Sequence, residues 1–200
     1  MTKKKIGCLS VSILVLLLIL GTCTGGLLSP LPYRHLDPFF GKVIDADTKE
    51  PIAGAAVLAV YYTEVYTIAG ANSIIVDAQE ILTDENGEFK IPKVKRWFPA
   101  VRGYPEGGIQ IFKPGYGVYP DHKRSRAIGV NKTWPPPKKY IVYELPKLKT
   151  REERKRNAIY VNTYDEIPYQ KRKLYIKAIN EERISLGLDP RTIPNEEGQK

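Results

Sequence analysis

From residue 39 to residue 148 the chain is a series of short β-forming runs separated by turn signals. The runs are Phe40–Asp45, Ala55–Tyr62, one within Ile74–Thr83, Phe89–Ile91, Gly108–Lys113 and Tyr140–Leu145, all rich in β-branched and aromatic residues. Between them lie Asp45-Ala46-Asp47-Thr48-Lys49-Glu50-Pro51, Asp84-Glu85-Asn86-Gly87 and Pro114-Gly115. Short polar side chains there bond their own backbone, Pro51 fixes φ, and Gly87 and Gly115 supply positive φ. No helical periodicity interrupts the series, so the body is expected to be mainly β, a sandwich of short strands. Hydrophobic residues make up 42% of 200, enough for one core built by ordinary apolar burial. Both cysteines, Cys8 and Cys23, lie outside this body, so no disulfide framework holds it.

Four segments carry a resemblance. They are Gly41-Lys42-Val43-Ile44-Asp45, Thr48 to Val57 with its Pro51-Ile52-Ala53-Gly54-Ala55-Ala56-Val57, Thr83-Asp84-Glu85-Asn86-Gly87-Glu88-Phe89, and Lys113-Pro114-Gly115-Tyr116. Together and in this order they resemble the carboxypeptidase regulatory-like domain, over residues 39–148. The resemblance implies a seven-stranded Greek-key, prealbumin-like (transthyretin-like) β-sandwich. It implies stabilisation, adhesion or binding, with no chemistry of its own. The chain departs from the pattern at Tyr61 to Ile75, expected as an enlarged connection, and at Gly117 to Lys139, a long Pro/Lys-rich excursion.

The first 28 residues read as a signal peptide or membrane-anchor helix. Lys3, Lys4 and Lys5 precede an apolar stretch from Ile6 to Leu20, and no charge appears again before Arg34. Extended through Leu28, the stretch is long enough to span a bilayer. The basic end stays in the cytoplasm and the rest is exported, to the periplasmic or cell-surface side. Leu20-Gly21-Thr22-Cys23 resembles a bacterial lipoprotein box, with Thr22 where the box carries Gly, Ala or Ser; this marks Cys23 as a lipidation candidate. Residues 29–38, with Pro30, Pro32 and Pro38, read as an extended linker.

Residues 149–200 read as a basic helical extension. Thr150 and Glu153 form a capping-box pattern for a short helix ending near Ala158. Pro168 suits the first turn of a second helix and Gly187 its end. Leu174, Tyr175, Ala178, Ile179 and Leu186 share one face, which Lys171 and Glu182 interrupt; docking on the sandwich is the expected use of that face. Residues 138–183 hold 13 Lys+Arg against 7 Asp+Glu, whereas residues 35–137 are neutral, 12 against 12. Candidate polyanion or anionic-lipid contacts are Lys147, Lys149, Arg151, Arg154, Lys155, Arg156, Lys171, Arg172 and Lys173. The competing expectation is that these cations only solvate docked helices. No aromatic–basic nucleic-acid motif is present, and no nucleic-acid partner is expected.

Catalytic patterns are sparse. Neither His35 nor His122 begins a His-x-x-Glu pair, and no Gly-x-Ser-x-Gly elbow, phosphate loop or Cys/His zinc spacing occurs. No cofactor is expected. Asp45 and Asp47 on one turn and Asp84 and Asn86 on another are calcium candidates if both turns fall at one end of the sandwich; ordinary turn chemistry explains the same residues. Tyr61, Tyr62, Tyr66, Tyr104, Tyr116, Tyr119 and Trp134 are candidates for stacking on sugars, set against packing within the core. The function expected is a non-enzymatic, membrane-anchored binding or structural module of the cell envelope, with an envelope protein or glycan as partner. The alternatives are a carbohydrate- or peptidoglycan-binding module using aromatic loops, and an enzyme of unrecognised type.

Overall fold

The structure, a computed structural model, describes residues 33–67, 70–97, 105–130 and 136–191. The expected anchor, Cys23, Tyr104 and Trp134 lie outside them. Strand predominates over helix. The strands are β1 Tyr33–Leu36, β2 Phe39–Asp45, β3 Ala56–Thr67, β4 Gly70–Leu82, β5 Glu88–Ile91, β6 Val94–Trp97, β7 Glu106–Phe112, β8 Arg126–Ala127 and β9 Tyr140–Leu145. The helices are α1 Arg151–Tyr160 and α2 Lys173–Ser185, the second entered through a 3-10 turn, Tyr169–Lys171.

One sheet has the order β5-β2-β9-β8 and the other β4-β3-β7, while β1 and β6 pair separately as a two-stranded ribbon. In the first sheet β2 runs antiparallel to β5 and parallel to β9. Glycine is required in that parallel pair, because a Cβ on Gly41 would lie 2.0 Å from the Ile141 carbonyl oxygen. The inner faces of the two sheets meet in one core. Val43, Phe89, Ile91, Ile141, Tyr143 and Leu145 come from one side, and Val57, Ala59, Tyr61, Ile109 and Ile111 from the other. Alternation along β2, with every second residue buried, is the pattern of a strand with one covered face.

β3 differs, being buried on both faces. Its alternate residues Ala56, Leu58 and Val60 join Ala78 and Phe112 in a second core, completed by Val161, Ile167, Tyr175, Ile176, Ala178 and Ile179. The C-terminal extension is thus a third layer over the outer face of β4-β3-β7. Its helix signals act as expected. The Thr150 hydroxyl accepts the Glu153 amide at 3.1 Å. Gly187, at φ +70, closes α2 in a Schellman motif, with Gly187 N–H donating to Ile184 O and Leu188 N–H to Arg183 O. Pro168 caps the 3-10 turn rather than α2 itself. The tail is held as far as Arg191, whose amide donates to Asn180 Oδ1 at 2.7 Å.

Two expectations change. Tyr61 to Ile75 is no enlarged loop: β3 and β4 continue as one long hairpin, paired from Ala56↔Leu82 to Thr67↔Gly70 with a bulge at Tyr61/Tyr62. Tyr62 and Thr63 pair with Ile75 and Ile74 across the ladder, a pairing each supports only in the presence of the other. Tyr33–Leu36, within the stretch read as linker, is a strand paired with β6, and its Leu36 is fully buried.

Asp77 on β4 ties this ribbon and the C-terminal layer to the sandwich. Its buried carboxylate accepts from Arg96 Nε at 2.7 Å and is also bonded by Lys171. Burial pushes the Asp77 carboxyl up, but the hydrogen bonds from Lys171 and Arg96 outweigh it and hold the group below the usual carboxylate range. A depressed folded-state pKa adds stability above the unfolded value, about 4, and that stability is lost as pH falls through the folded value. Asp77→Asn is expected to cost about 1–2 kcal/mol at neutral pH, discounted because both cations are half exposed. The gap to wild type should narrow steadily below about pH 4; urea midpoints across pH measure it, and a pH-independent gap would refute the assignment.

Candidate functional site

Two elements form a candidate binding cleft. The first is the segment after β7. Ile111 and Tyr119 exchange backbone hydrogen bonds, and the chain then turns through a cis Tyr119–Pro120 bond to His122. The second is α1. Asn157 joins them: its Nδ2 donates to Tyr116 O at 3.1 Å and its Oδ1 accepts the Val118 amide at 3.0 Å. Both amide ends of a buried Asn are thereby satisfied by one loop, which fixes that loop against the helix.

The cleft between them has a volume of about 390 Å³. Val118, Val161 and Tyr160 give it apolar walls, and Tyr160 is 79% exposed. Asp121, Glu152 and Glu153 supply carboxylates, and Lys123 and Arg156 supply cations. His122 sits against Gly117, where a Cβ would come within 2.6 Å of the imidazole. Burial, then the Arg124 and Lys123 charges, hold the imidazole below its ordinary value despite Glu153. Its Nδ1 accepts the Arg124 amide at 3.3 Å, so the neutral ring carries its proton on Nε2. Partial burial pushes the Asp121 carboxyl up. The arrangement offers one aromatic face, acceptors on α1 and donors from both elements, which suits recognition of a polar ligand with an apolar face.

The aromatic and acidic candidates singled out in the sequence fall elsewhere. Tyr61 and Tyr119 are buried in the first core. Tyr116 is half-buried and bonded to Asp45, and Tyr62 is half-buried on β3; the Tyr66 side chain lies outside the described residues. The two acidic turns do come together, since a Cβ on Gly87 would lie 3.2 Å from Pro51 Cβ. Their carboxylates serve their own turns. Asp45 Oδ1 accepts the Asp47 and Thr48 amides at 2.7 and 3.1 Å. Asp84 Oδ1 accepts those of Asn86 and Glu88 at 2.9 and 2.8 Å. Among the described residues no three His, Cys, Asp or Glu side chains group as metal ligands.

Of the nine candidate polyanion contacts, four side chains make internal hydrogen bonds or ion pairs, and Lys147 and Lys173 lie near the Asp45 and Glu80 carboxylates. Arg154 binds Glu182, Lys171 binds Asp77, Arg172 binds Asp165 and two carbonyls, and Arg151 donates to Leu186 O. Lys147, Lys149, Lys155, Arg156 and Lys173 are exposed, with Arg156 at the cleft. The sequence reading missed Tyr160, Asp121 and Asn157 as site residues. Only the Thr150 cap, which fixes the start of α1, pointed towards them. Among the described residues no helix is long and apolar enough to cross a membrane. Comparison with known protein families, curated proteins and solved structures finds no match to this chain.

Proposed function

We propose that this chain is a membrane-anchored, extracytoplasmic binding module of the cell envelope, without chemistry of its own, built on a carboxypeptidase regulatory-like sandwich. The anchor is the apolar stretch that follows Lys3–Lys5. Support for the Greek-key part comes from β2 to β5: β5 returns beside β2, while β3 and β4 pair in the facing sheet. The Ile111↔Tyr119 bridge adds a rudimentary further strand beside β7. The motif segments also fall at matching places, with Gly41 in β2, Thr83 to Phe89 at the β4–β5 turn and Lys113 to Tyr116 directly after β7.

The observation that carries the binding role is the cleft with Tyr160 on its wall. Its imidazole spends Nδ1 on a backbone amide and the Ser125 hydroxyl donates to Gly117 O at 3.0 Å, so both groups serve the loop's own fold. The exposed Tyr160 ring beside three carboxylates favours a glycan of the envelope as ligand, with hydroxyls meeting the acids and a sugar face meeting the ring. Full-length chain in detergent micelles should be retained on isolated peptidoglycan or envelope polysaccharide. Tyr160→Ala should weaken retention about three- to tenfold while leaving the thermal unfolding midpoint unchanged. Equal retention by the variant would remove the cleft from the function.

A further inference from the structure

The ribbon of β1 and β6 has two unlike faces. Its register pairs Tyr33 with Trp97, Arg34 with Arg96, His35 with Lys95 and Leu36 with Val94. Side chains alternate along a strand, so Leu36, Val94, Arg34 and Arg96 share one face. That face is turned to the protein: Leu36 is fully buried, and Arg96 reaches the buried Asp77. The opposite face carries His35, Lys95 and Trp97, all exposed, with Trp97 60% exposed. None of the eight ribbon residues is acidic. A large aromatic is thus held open to solvent beside Lys95, on a strand whose other face is pinned down.

The chain's own length says which partner. The uncharged apolar stretch ends at Leu28, and the ribbon begins at Tyr33. Five residue steps span at most about 17 Å even when fully extended. The ribbon is therefore confined to the first layer above the hydrocarbon edge. Tryptophan concentrates at headgroup level, where its ring meets acyl chain and its N–H meets water, and cations there meet lipid phosphates.

We propose that the His35–Lys95–Trp97 face of the ribbon rests on the bilayer surface, with Trp97 seated at headgroup depth. The proposal rests on the membrane-anchor reading above. It also gives the sandwich a fixed orientation: the ribbon faces the membrane, and through Asp77 the bilayer contact is bonded to β4 and to Lys171 of the C-terminal layer.

The chain has two tryptophans, so Trp134→Phe leaves Trp97 as the sole indole, excited apart from the tyrosines at the red edge. This full-length variant is reconstituted into vesicles of phosphatidylcholine with phosphatidylglycerol, floated on a density gradient, and its fluorescence read with lipids brominated near the headgroup or deep in the chain. The expected result is flotation, blue-shifted emission, and quenching stronger by the shallow bromines than by the deep ones. Lys95→Glu on the same background should reduce the quenching without changing flotation. A floated protein whose emission stays that of a solvated indole, unquenched by either lipid, overturns the ribbon contact and leaves the anchor standing. Protein that does not float overturns the anchor reading and the contact with it.

Discussion

A chain ending at Lys149 is expected to aggregate instead of standing as a free sandwich. The second core is shared: Leu58, Val60 and Phe112 belong to the sheet, while Val161, Ile167, Tyr175, Ile176 and Ile179 come from the extension. Fully burying such side chains contributes about 1.5–3 kcal/mol each. Losing the five from the extension removes on the order of 10 kcal/mol of gross burial, even as an upper bound, against a net domain stability of about 5–15 kcal/mol. The freed sheet face would be continuous and apolar, since Ala56, Leu58, Val60 and Phe112 are adjacent across β3 and β7. Exposed strands of that kind associate. Light scattering, dye binding to exposed apolar surface and far-ultraviolet dichroism on the truncated and intact chains measure the outcome. A monomeric truncated chain with the intact melting midpoint would make the third layer an accessory.

The same core explains what the sequence could convey. Turn chemistry was legible because it is local: the Asp84–Gly87 turn needs only its own residues, and the Gly87 amide donates to Asp84 O at 3.0 Å. The cap on Thr150 and the stop at Gly187 were legible for the same reason. The β1·β6 ribbon was not. Tyr-Arg-His-Leu and Val-Lys-Arg-Trp have no strand signal alone, and each is ordered by the other across more than fifty residues of chain. The long β3–β4 hairpin was read as a connection because Glu64, Asn72 and Ser73 interrupt the apolar pattern near its tip, where strands are exposed and need no alternation.

The cations show the limit most directly. Lys171, Arg172 and Lys173 are consecutive and alike in charge. Lys171 binds Asp77, Arg172 is buried under the 163–167 loop, and Lys173 is exposed. Which of three neighbours faces a partner depends on the helix phase after Pro168 and on a carboxylate in β4. Neither can be read from charge counts. Internal pairing lowers the number of cations open to an outside partner but not the net charge, and Lys147, Lys149, Lys155, Arg156 and Lys173 stay exposed.

Glu182→Ala is the single substitution expected to loosen the third layer most. The side chain is 1% exposed and lies within the apolar face of α2. It accepts from Arg154 Nε and Nη2 at 2.8 and 2.6 Å, and from the Gly115 amide at 3.2 Å. One carboxylate therefore joins α2, α1 and the turn that follows β7. Its removal leaves the Arg154 guanidinium, which is one-third exposed, with the Ser185 hydroxyl at 3.1 Å but no carboxylate, and leaves the Gly115 N–H without its acceptor. Breaking a buried pair by deleting one partner costs about 3–5 kcal/mol, and the partial exposure of Arg154 puts the expected loss near the lower end. Glu182→Gln keeps the shape and one acceptor oxygen and should cost about half as much. The double variant Arg154→Leu with Glu182→Leu tests whether charge or packing holds the joint. Replacing both members of a buried pair by apolar residues is often nearly neutral, so the double variant should regain most of the loss, short of the Gly115 hydrogen bond. Urea unfolding of the wild type, Arg154→Leu, Glu182→Leu and the double variant closes a double-mutant cycle. A coupling energy near zero would mean that apolar packing of α2 alone keeps the third layer in place, and that the buried carboxylate is a passenger.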